Sequence, residues 1–149
     1  MGYWDNDIYE VGYKYQMNDI AAALCLTALA EFEDTLKYRK TLFAEYEKQL
    51  QGLDGIRLIG SGLKDREHAS WLCTVLVDRR EDMMKKLRSF MIESSQVHYR
   101  NDRYTVFGGR RYDLPNMDKV EDNYLVLPLH LKMRLEDVEL IGKVIKSGW

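Results

Sequence analysis

Proline and cysteine are both scarce in this chain, which has two of each among 149 residues. With 46% hydrophobic and 31% charged residues, so few prolines are typical of a helix-rich globular protein and exclude a disordered one. Cys25 and Cys73 lie far apart, in apolar runs, and form no CxxC pair, which excludes a CxxC redox or zinc motif. We expect both to be reduced thiols in the core of a cytoplasmic protein, with a disulfide between them as the alternative.

A surplus of positive charge and long apolar runs are also missing. The formal net charge is −2, whereas a protein that binds nucleic acid through its phosphates needs a clear basic excess. No apolar run approaches the roughly 18 residues of a membrane span, and the aromatic and acidic stretch Met1–Asp7 does not resemble a signal peptide. These absences predict a cytoplasmic protein that contacts neither nucleic acid nor membrane.

The common catalytic motifs are missing as well. The chain has no phosphate-binding loop, GxGxxG, GxSxG, HExxH or calcium loop. His68, His98 and His130 lack the spacing of metal ligands, so we expect no metal site; three histidines brought together by folding are the alternative. The residues alone therefore specify no reaction and no catalytic residue.

The stretch from Gly12 to Leu26 is the most informative part of what is present. Asn18 is a good helix N-cap, and Asp19 places a carboxylate near the positive end of the helix dipole. From Ile20 onward this predicted helix has almost no polar face, and a helix that is apolar all round must be enclosed by protein. The residues before it show no periodicity, so residues 1–17 are predicted to form an arm and a loop.

Hydrophobic periodicity divides the rest of the chain into helices and short strands. The first helix is predicted to end near Ala30, and an amphipathic helix follows to Leu50, before Gly52. This order predicts an α+β fold, in which N-terminal helices lead into a small, mostly antiparallel sheet with flanking helices, and one domain over residues 18–149. The irregular loop 100–117 is a candidate for function. The predicted strands are 56–59, 71–77, 96–99 and 124–129. The next predicted helix is capped by Asp78, has an apolar stripe from Met83 to Met91 and ends at Ser94-Ser95. The last two predicted helices are 118–123 and 135–146.

Three stretches of the chain carry recognisable motifs. Gly12–Leu24 contains Gly-Tyr-Lys-Tyr-Gln-Met followed by Asn-Asp-Ile-Ala-Ala-Ala-Leu, and Ser95–Tyr99 ends in Val-His-Tyr. Leu127–His130 reads Leu-Pro-Leu-His and is followed by Leu135–Val138, Leu-Glu-Asp-Val. In order and spacing these motifs resemble those of the DegT/StrS family of PLP-dependent sugar aminotransferases, and they extend over nearly the whole chain.

The resemblance implies the small domain of a fold-type-I aminotransferase, with residues 18–149 as the C-terminal small domain and the large PLP-binding domain absent. In the family, the lysine that forms the Schiff base with PLP lies upstream of Gly12. The complete enzyme is therefore expected to bind PLP and to aminate a keto-sugar nucleotide with an amino-acid donor such as glutamate. This chain alone is expected to bind no cofactor and to be inactive. A non-catalytic dimerisation or binding module derived from the family is the alternative.

The resemblance also implies site residues and partners. In the family, the Gly-Tyr-(Asn/Lys) turn reaches across a homodimer to the partner's cofactor phosphate, which assigns Lys14 and Gln16 to cofactor binding; otherwise they are surface residues of a loop. The His-Tyr pair lies beside the sugar nucleotide, which assigns His98 and Tyr99 to the substrate; otherwise they pack at a strand end. The expected protein partner is a second copy, as a homodimer, or the missing large domain.

One departure from the family concerns the loop that follows the His-Tyr pair. Family members commonly have Pro-Leu-His there, whereas this chain has Arg100, Asn101 and Asp102. Four arginines of this loop either contact a diphosphate through bidentate hydrogen bonds or belong to a solvated basic loop. They are Arg100, Arg103, Arg110 and Arg111.

Overall fold

The computed structural model describes residues 13–149, so residues 1–12 of the predicted arm lie outside the described residues. The chain divides into two compact units, Met1–Glu33 and Asp34–Trp149. No helix in the described part is long and apolar enough to cross a membrane. The predicted bounds of a small domain over residues 18–149 stay a prediction.

The described part of the first unit contains a segment without regular structure followed by helix α1 (Asp19–Ala30). Asn18 is the N-cap, as predicted, and its Oδ1 accepts a hydrogen bond from the backbone N–H of Ala21 at 2.8 Å. No residue of α1 is buried, and Ile20 is 75% exposed. The predicted core position of Cys25 was therefore wrong, because Cys25 lies on this exposed helix.

Helix α2 spans Phe32–Leu50 and ends before Gly52, whose φ of +72° suits a residue without a side chain. Of the apolar stripe predicted for it, Phe43, Tyr46 and Leu50 are buried, whereas Phe32 is 47% exposed. The remaining elements are β1 (Ile56–Leu58), β2 (Cys73–Val77), α3 (Arg80–Ser89), α4 (Pro115–Val120), β3 (Tyr124–Leu127) and α5 (Leu135–Lys146), with two short 3-10 turns at Asn101–Arg103 and Thr105–Phe107.

The three strands form one antiparallel sheet in the order β1-β2-β3. Arg57 pairs with Leu76, and Val75 pairs with Leu125. The valine-rich run predicted as a central strand is the central strand β2, in which alternate side chains are fully buried. The predicted α+β class with a small antiparallel sheet is confirmed.

The core of the second unit is a single cluster of buried side chains from α2, α3, α5 and the sheet. Gly142 of α5 allows a close approach to α2, since a Cβ atom there would lie 2.8 Å from Cβ of Gln49. The fully buried members with large side chains include Leu42, Tyr46, Met83, Leu87, Leu125, Leu127, Val138 and Ile145.

Helix α3 differs from its prediction at both ends. Asp78 was predicted as the N-cap, but the N-cap is Arg79, in the left-handed region at φ +53°. The backbone of Asp78 serves other contacts: its N–H donates to the Gly55 carbonyl at 2.8 Å, and its carbonyl accepts from Nε1 of Trp149 at 2.6 Å. Met91, predicted in the apolar stripe, lies beyond the helix and is 96% exposed.

The strand predicted at residues 96–99 does not form. Ser95 makes an isolated bridge to Val126, with backbone N···O distances of 2.9 and 3.3 Å, and the ladder ends there. The residues that follow lead to Arg100, whose side chain is buried in an ion network. The His-Tyr pair therefore lies on a segment that leaves the sheet, with both side chains exposed.

Candidate functional site

The two residues assigned to the substrate, His98 and Tyr99, contact different neighbours. The imidazole of His98 lies 5.9 Å from the ring of Trp71, centroid to centroid. The guanidinium of Arg103 lies over the ring of Tyr99, 4.6 Å from its centroid. The structure thus brings the predicted pair together with two side chains, an indole and a guanidinium, that the sequence did not assign to it.

Helix α2 fixes the backbone around this pair through one arginine. Nη1 of Arg39 donates to the carbonyl oxygens of Trp71 at 3.1 Å, Leu129 at 3.4 Å and Ser70 at 3.5 Å. The bonds to Ser70 and Trp71 hold the segment that places Trp71 against His98. Sequence reasoning missed Arg39, and its only signal was a cation on a helix beside the apolar stripe.

Two tyrosines of α2 hold the segment that follows β3. The hydroxyl of Tyr46 donates to the Pro128 carbonyl at 2.8 Å, and the hydroxyl of Tyr38 donates to the Met133 carbonyl at 2.6 Å. Burial raises the pKa of Tyr46, so this hydroxyl remains a protonated donor. The Leu-Pro-Leu-His motif is therefore attached to α2 by hydrogen bonds to its backbone.

The other two histidines have local partners. Nδ1 of His68 accepts from the Ser70 N–H at 3.1 Å, and the His68 ring packs against Phe43 at 4.2 Å. Nδ1 of His130 accepts from the Lys132 N–H at 3.3 Å. Within residues 13–149, no group of three or more histidine, cysteine or acidic side chains is placed to hold a metal ion.

A buried ion network organises the loop that follows Tyr99. The Arg100 side chain is 2% exposed, and its Nε and Nη2 donate to the two carboxylate oxygens of Asp102, both at 2.6 Å. Its Nη1 donates to Asp118 at 2.6 Å and to Glu121 at 3.0 Å. The Arg100 guanidinium holds the pKa values of these three carboxyl groups below their usual range.

Neither of the two interpretations of the loop arginines describes Arg100, because its guanidinium is buried and donates to three carboxylates and to the Arg111 carbonyl. Arg110 is paired as well, 3.0 Å from both Asp118 and Glu121. Arg111 pairs with Asp113 at 2.5 Å. These contacts give the loop a defined path from residue 100 to α4.

A mostly apolar groove of about 670 Å³ lies between α5, the segment after β3 and the segment after α3. Leu127, Pro128 and His130 of the Leu-Pro-Leu-His motif line it. His98 and Tyr99 do not belong to its lining. The groove is therefore a feature separate from the predicted substrate pair.

The residues assigned to the cofactor, Lys14 and Gln16, lie in the segment before α1, and both are exposed. Their neighbours Tyr13 and Tyr15 have ring centroids 5.6 Å apart. Lys14 and Gln16 belong to the first unit, whereas His98 and Tyr99 belong to the second.

A model of the DegT/DnrJ/EryC1/StrS aminotransferase family matches residues 1–146. The chain belongs to this family. The match includes all three motifs on which the resemblance rests, and the family depends on PLP.

Solved and curated members of the family are similar to nearly the whole of this chain. The sugar aminotransferase CalS13 from Micromonospora echinospora superposes with a TM-score of 0.86 at 31% identity, over 96% of this chain and 38% of that one. The UDP-4-amino-4,6-dideoxy-N-acetyl-beta-L-altrosamine transaminase of Campylobacter jejuni is 26% identical, over 97% of this chain. The UDP-4-amino-4-deoxy-L-arabinose--oxoglutarate aminotransferase of Shewanella sediminis is 26% identical, over 95% of this chain. The chain spans about 40% of the length of these curated relatives.

The described residues can be compared with what PLP needs. The ammonium of Lys14 and the amide of Gln16 are exposed hydrogen-bond donors, which suits a phosphate group. No lysine within residues 13–149 is buried, whereas a lysine that bonds covalently to PLP needs a desolvated pocket. The described residues therefore fit the phosphate end of the cofactor and not its aldehyde end.

Proposed function

We propose that this chain is the C-terminal part of a PLP-dependent aminotransferase that transfers an amino group from an amino acid to a keto-sugar nucleotide. Residues 18–149 are its small domain, and the large PLP-binding domain belongs to another part of the enzyme. The observation that carries the proposal is the family match over residues 1–146, supported by the superposition on CalS13 over 96% of the chain. We further propose that the enzyme is cytoplasmic and homodimeric.

The exposed helix α1 supports the presence of more protein around this chain. Its sequence is almost entirely apolar, yet none of its residues is buried within the chain, and Leu24 and Leu26 are both more than two-thirds exposed. Burying an apolar side chain of this size is worth about 1.5–3 kcal/mol, so leaving several in water is costly. We propose that the large domain and the dimer partner cover this helix.

Lys14 and Gln16 are proposed to hold the phosphate of the cofactor bound by the partner subunit. Lysine supplies a compact positive charge and three donors, and the glutamine amide adds two more. When bound, PLP supplies the electron sink that allows bonds at the α carbon of the amino donor to break. The task of these two residues is to fix the phosphate and thereby the position of the ring.

His98 and Tyr99 are proposed to contact the sugar nucleotide. Both are exposed, so they are free to meet a ligand. Trp71 and Arg103 restrict their rings from the side, because they lie within 6 Å of them. Side chains that are already placed lose less freedom when a ligand binds, so we expect this pair to orient the sugar rather than to move protons.

A second candidate function is favoured by the same exposed helix. A non-catalytic module that dimerises through α1 would also cover Ile20, Leu24 and Leu26. Such a module would form dimers in light scattering but would neither bind PLP nor transfer amino groups when joined to any upstream sequence. A measurement of transaminase activity therefore distinguishes the two candidate functions, whereas a measurement of oligomeric state does not.

The test is to sequence the coding region upstream of Met1 and to express both parts as one protein. The proposal expects an in-frame lysine followed by Gly-Glu-Gly-Gly, the element that follows the Schiff-base lysine in the family. It also expects transfer of 15N from labelled glutamate to a UDP- or dTDP-linked 4-keto sugar, measured by mass spectrometry. Lys14→Ala should weaken PLP binding at least about tenfold, whereas Lys64→Ala, at an exposed lysine of the loop after β1, should leave it unchanged. A protein that binds PLP but transfers no 15N would refute the proposed activity.

A further inference from the structure

Arg103 differs from the other arginines of its loop. Arg100, Arg110 and Arg111 are each paired with carboxylates at 2.5–3.0 Å. Among the residues that the structure describes, no carboxylate lies within 4.0 Å of the Arg103 guanidinium. An exposed guanidinium that none of these described carboxylates neutralises is available to an anionic ligand.

The position of Arg103 is fixed by two aromatic rings. Its guanidinium carbon lies 4.6 Å from the ring centroid of Tyr99 and 5.5 Å from that of Tyr104. A guanidinium held against aromatic faces keeps N–H donors at its edge for other acceptors. The two tyrosines therefore orient this charge without satisfying its hydrogen bonds.

The backbone around Arg103 is also fixed. The neighbouring Asp102 accepts two hydrogen bonds from buried Arg100 and a third from the backbone N–H of Arg111 at 2.9 Å. Asp102 is the middle residue of a short 3-10 turn, Asn101–Arg103. Because these hydrogen bonds hold Asp102 in place, the backbone of the adjacent Arg103 has few alternative conformations.

We propose that Arg103 binds the diphosphate of the sugar nucleotide, an inference that rests on the proposed function. A guanidinium matches phosphate oxygens through paired hydrogen bonds, and a diphosphate offers several charged acceptors close together. Arg103 lies against Tyr99, which is proposed to contact the sugar, so one ligand can reach both. The exposed ring of Tyr104 adds an aromatic face beside the charge.

The experiment is an NMR titration of the whole chain, labelled with 15N, with sodium pyrophosphate, UDP and uridine in low salt. We expect UDP and pyrophosphate to shift the Nε–Hε resonance of Arg103, and uridine to leave it unchanged. Arg103→Gln should weaken the binding of UDP at least about tenfold, and Arg103→Lys should weaken it less because the charge remains. Arg66→Gln is the matched control, since Arg66 is exposed and lies in the loop after β1; UDP affinity should change less than twofold.

Three results would overturn the inference. They are a UDP affinity that Arg103→Gln leaves unchanged, uridine binding as tight as UDP binding, and no response of Arg103 to UDP at about 10 mM. The 15N-HSQC spectrum of each variant checks that it is folded. Nucleotide binding that depends on Arg103 in a protein without transaminase activity would refute the proposed function but not this site. Transaminase activity in a protein whose Arg103 ignores UDP would refute only the site.

Discussion

Removal of one buried hydroxyl tests how α2 holds the Leu-Pro-Leu-His segment. Tyr46 is fully buried, and its hydroxyl donates to the Pro128 carbonyl at 2.8 Å. Tyr46→Phe keeps the packing of the ring but removes this bond and leaves the carbonyl without its donor. Removing one partner of a hydrogen bond costs about 1–3 kcal/mol when the other partner stays unsatisfied. Because Pro128 is half-buried, we expect the free energy of unfolding to fall by about 1–2 kcal/mol.

Two further tyrosines provide matched controls. Tyr38 makes the same kind of bond to Met133 at 2.6 Å, but it is 37% exposed, so water can replace its hydroxyl and Tyr38→Phe should cost about 0.5 kcal/mol. Tyr112 is 88% exposed, and Tyr112→Phe should change stability by less than about 0.5 kcal/mol. Urea unfolding followed by far-UV circular dichroism measures all three. Equal losses for Tyr46→Phe and Tyr112→Phe would refute the reasoning.

Two other outcomes follow from the charges and thiols. The Arg100 guanidinium lowers the folded-state pKa of Asp102. The stability that this carboxylate adds is therefore complete above its unfolded-state pKa, which is near 4. That stability is lost as the pH falls from there towards the lowered folded-state pKa. The difference in urea midpoint between wild type and Asp102→Asn should therefore be smaller at pH 3 than at pH 7, and a larger difference at pH 3 would contradict the network. In the native isolated chain Cys25 is exposed, whereas Cys73 is buried, and burial raises the pKa of its thiol. Iodoacetamide should therefore label Cys25 alone, because it reacts with accessible thiolates. Protection of Cys25, relieved on dilution, would instead indicate that a second copy covers α1.

Much of the fold could be predicted because its signals are local. Asn18, as an N-cap residue, predicts the start of α1. The apolar stripes predict that α2 forms and where α5 begins and ends. The valine-rich run of β2 indicates a central strand. Cys25 was misplaced because periodicity shows that a side chain is apolar but not which part of the protein covers it.

The strand wrongly predicted at residues 96–99 and the missed role of Arg39 have the same physical origin. The apolar and aromatic residues at 96–99 resemble a strand, but the bonds of Arg100 to Asp118 and Glu121 decide the path of the chain there, and these partners lie 18 and 21 residues away. A single sequence does not show such long-range pairing. For the same reason, the roles of Arg39 could not be predicted, since its acceptors are backbone carbonyls up to 90 residues away.

The site residues were named from motifs and not from chemistry. No motif distinguishes Arg103 from its three neighbouring arginines, and the structure does so by showing which of them have carboxylates as partners. A sequence lists the charges of a loop, but folding decides which of them remain available to a ligand.

Every hydrogen bond that α2 makes to the segment after β3 ends on a backbone carbonyl: those of Pro128, Leu129 and Met133. The helix thus holds the path of this segment through its backbone, and the side chains of Leu129 and Met133 add to this hold by packing in the core. His130 and Lys132 are exposed and line the groove, so substitutions at these two positions should change the chemistry of the groove and leave the hydrogen bonds from α2 intact. Exposed positions of this segment can therefore vary without loss of the hydrogen bonds that hold its backbone.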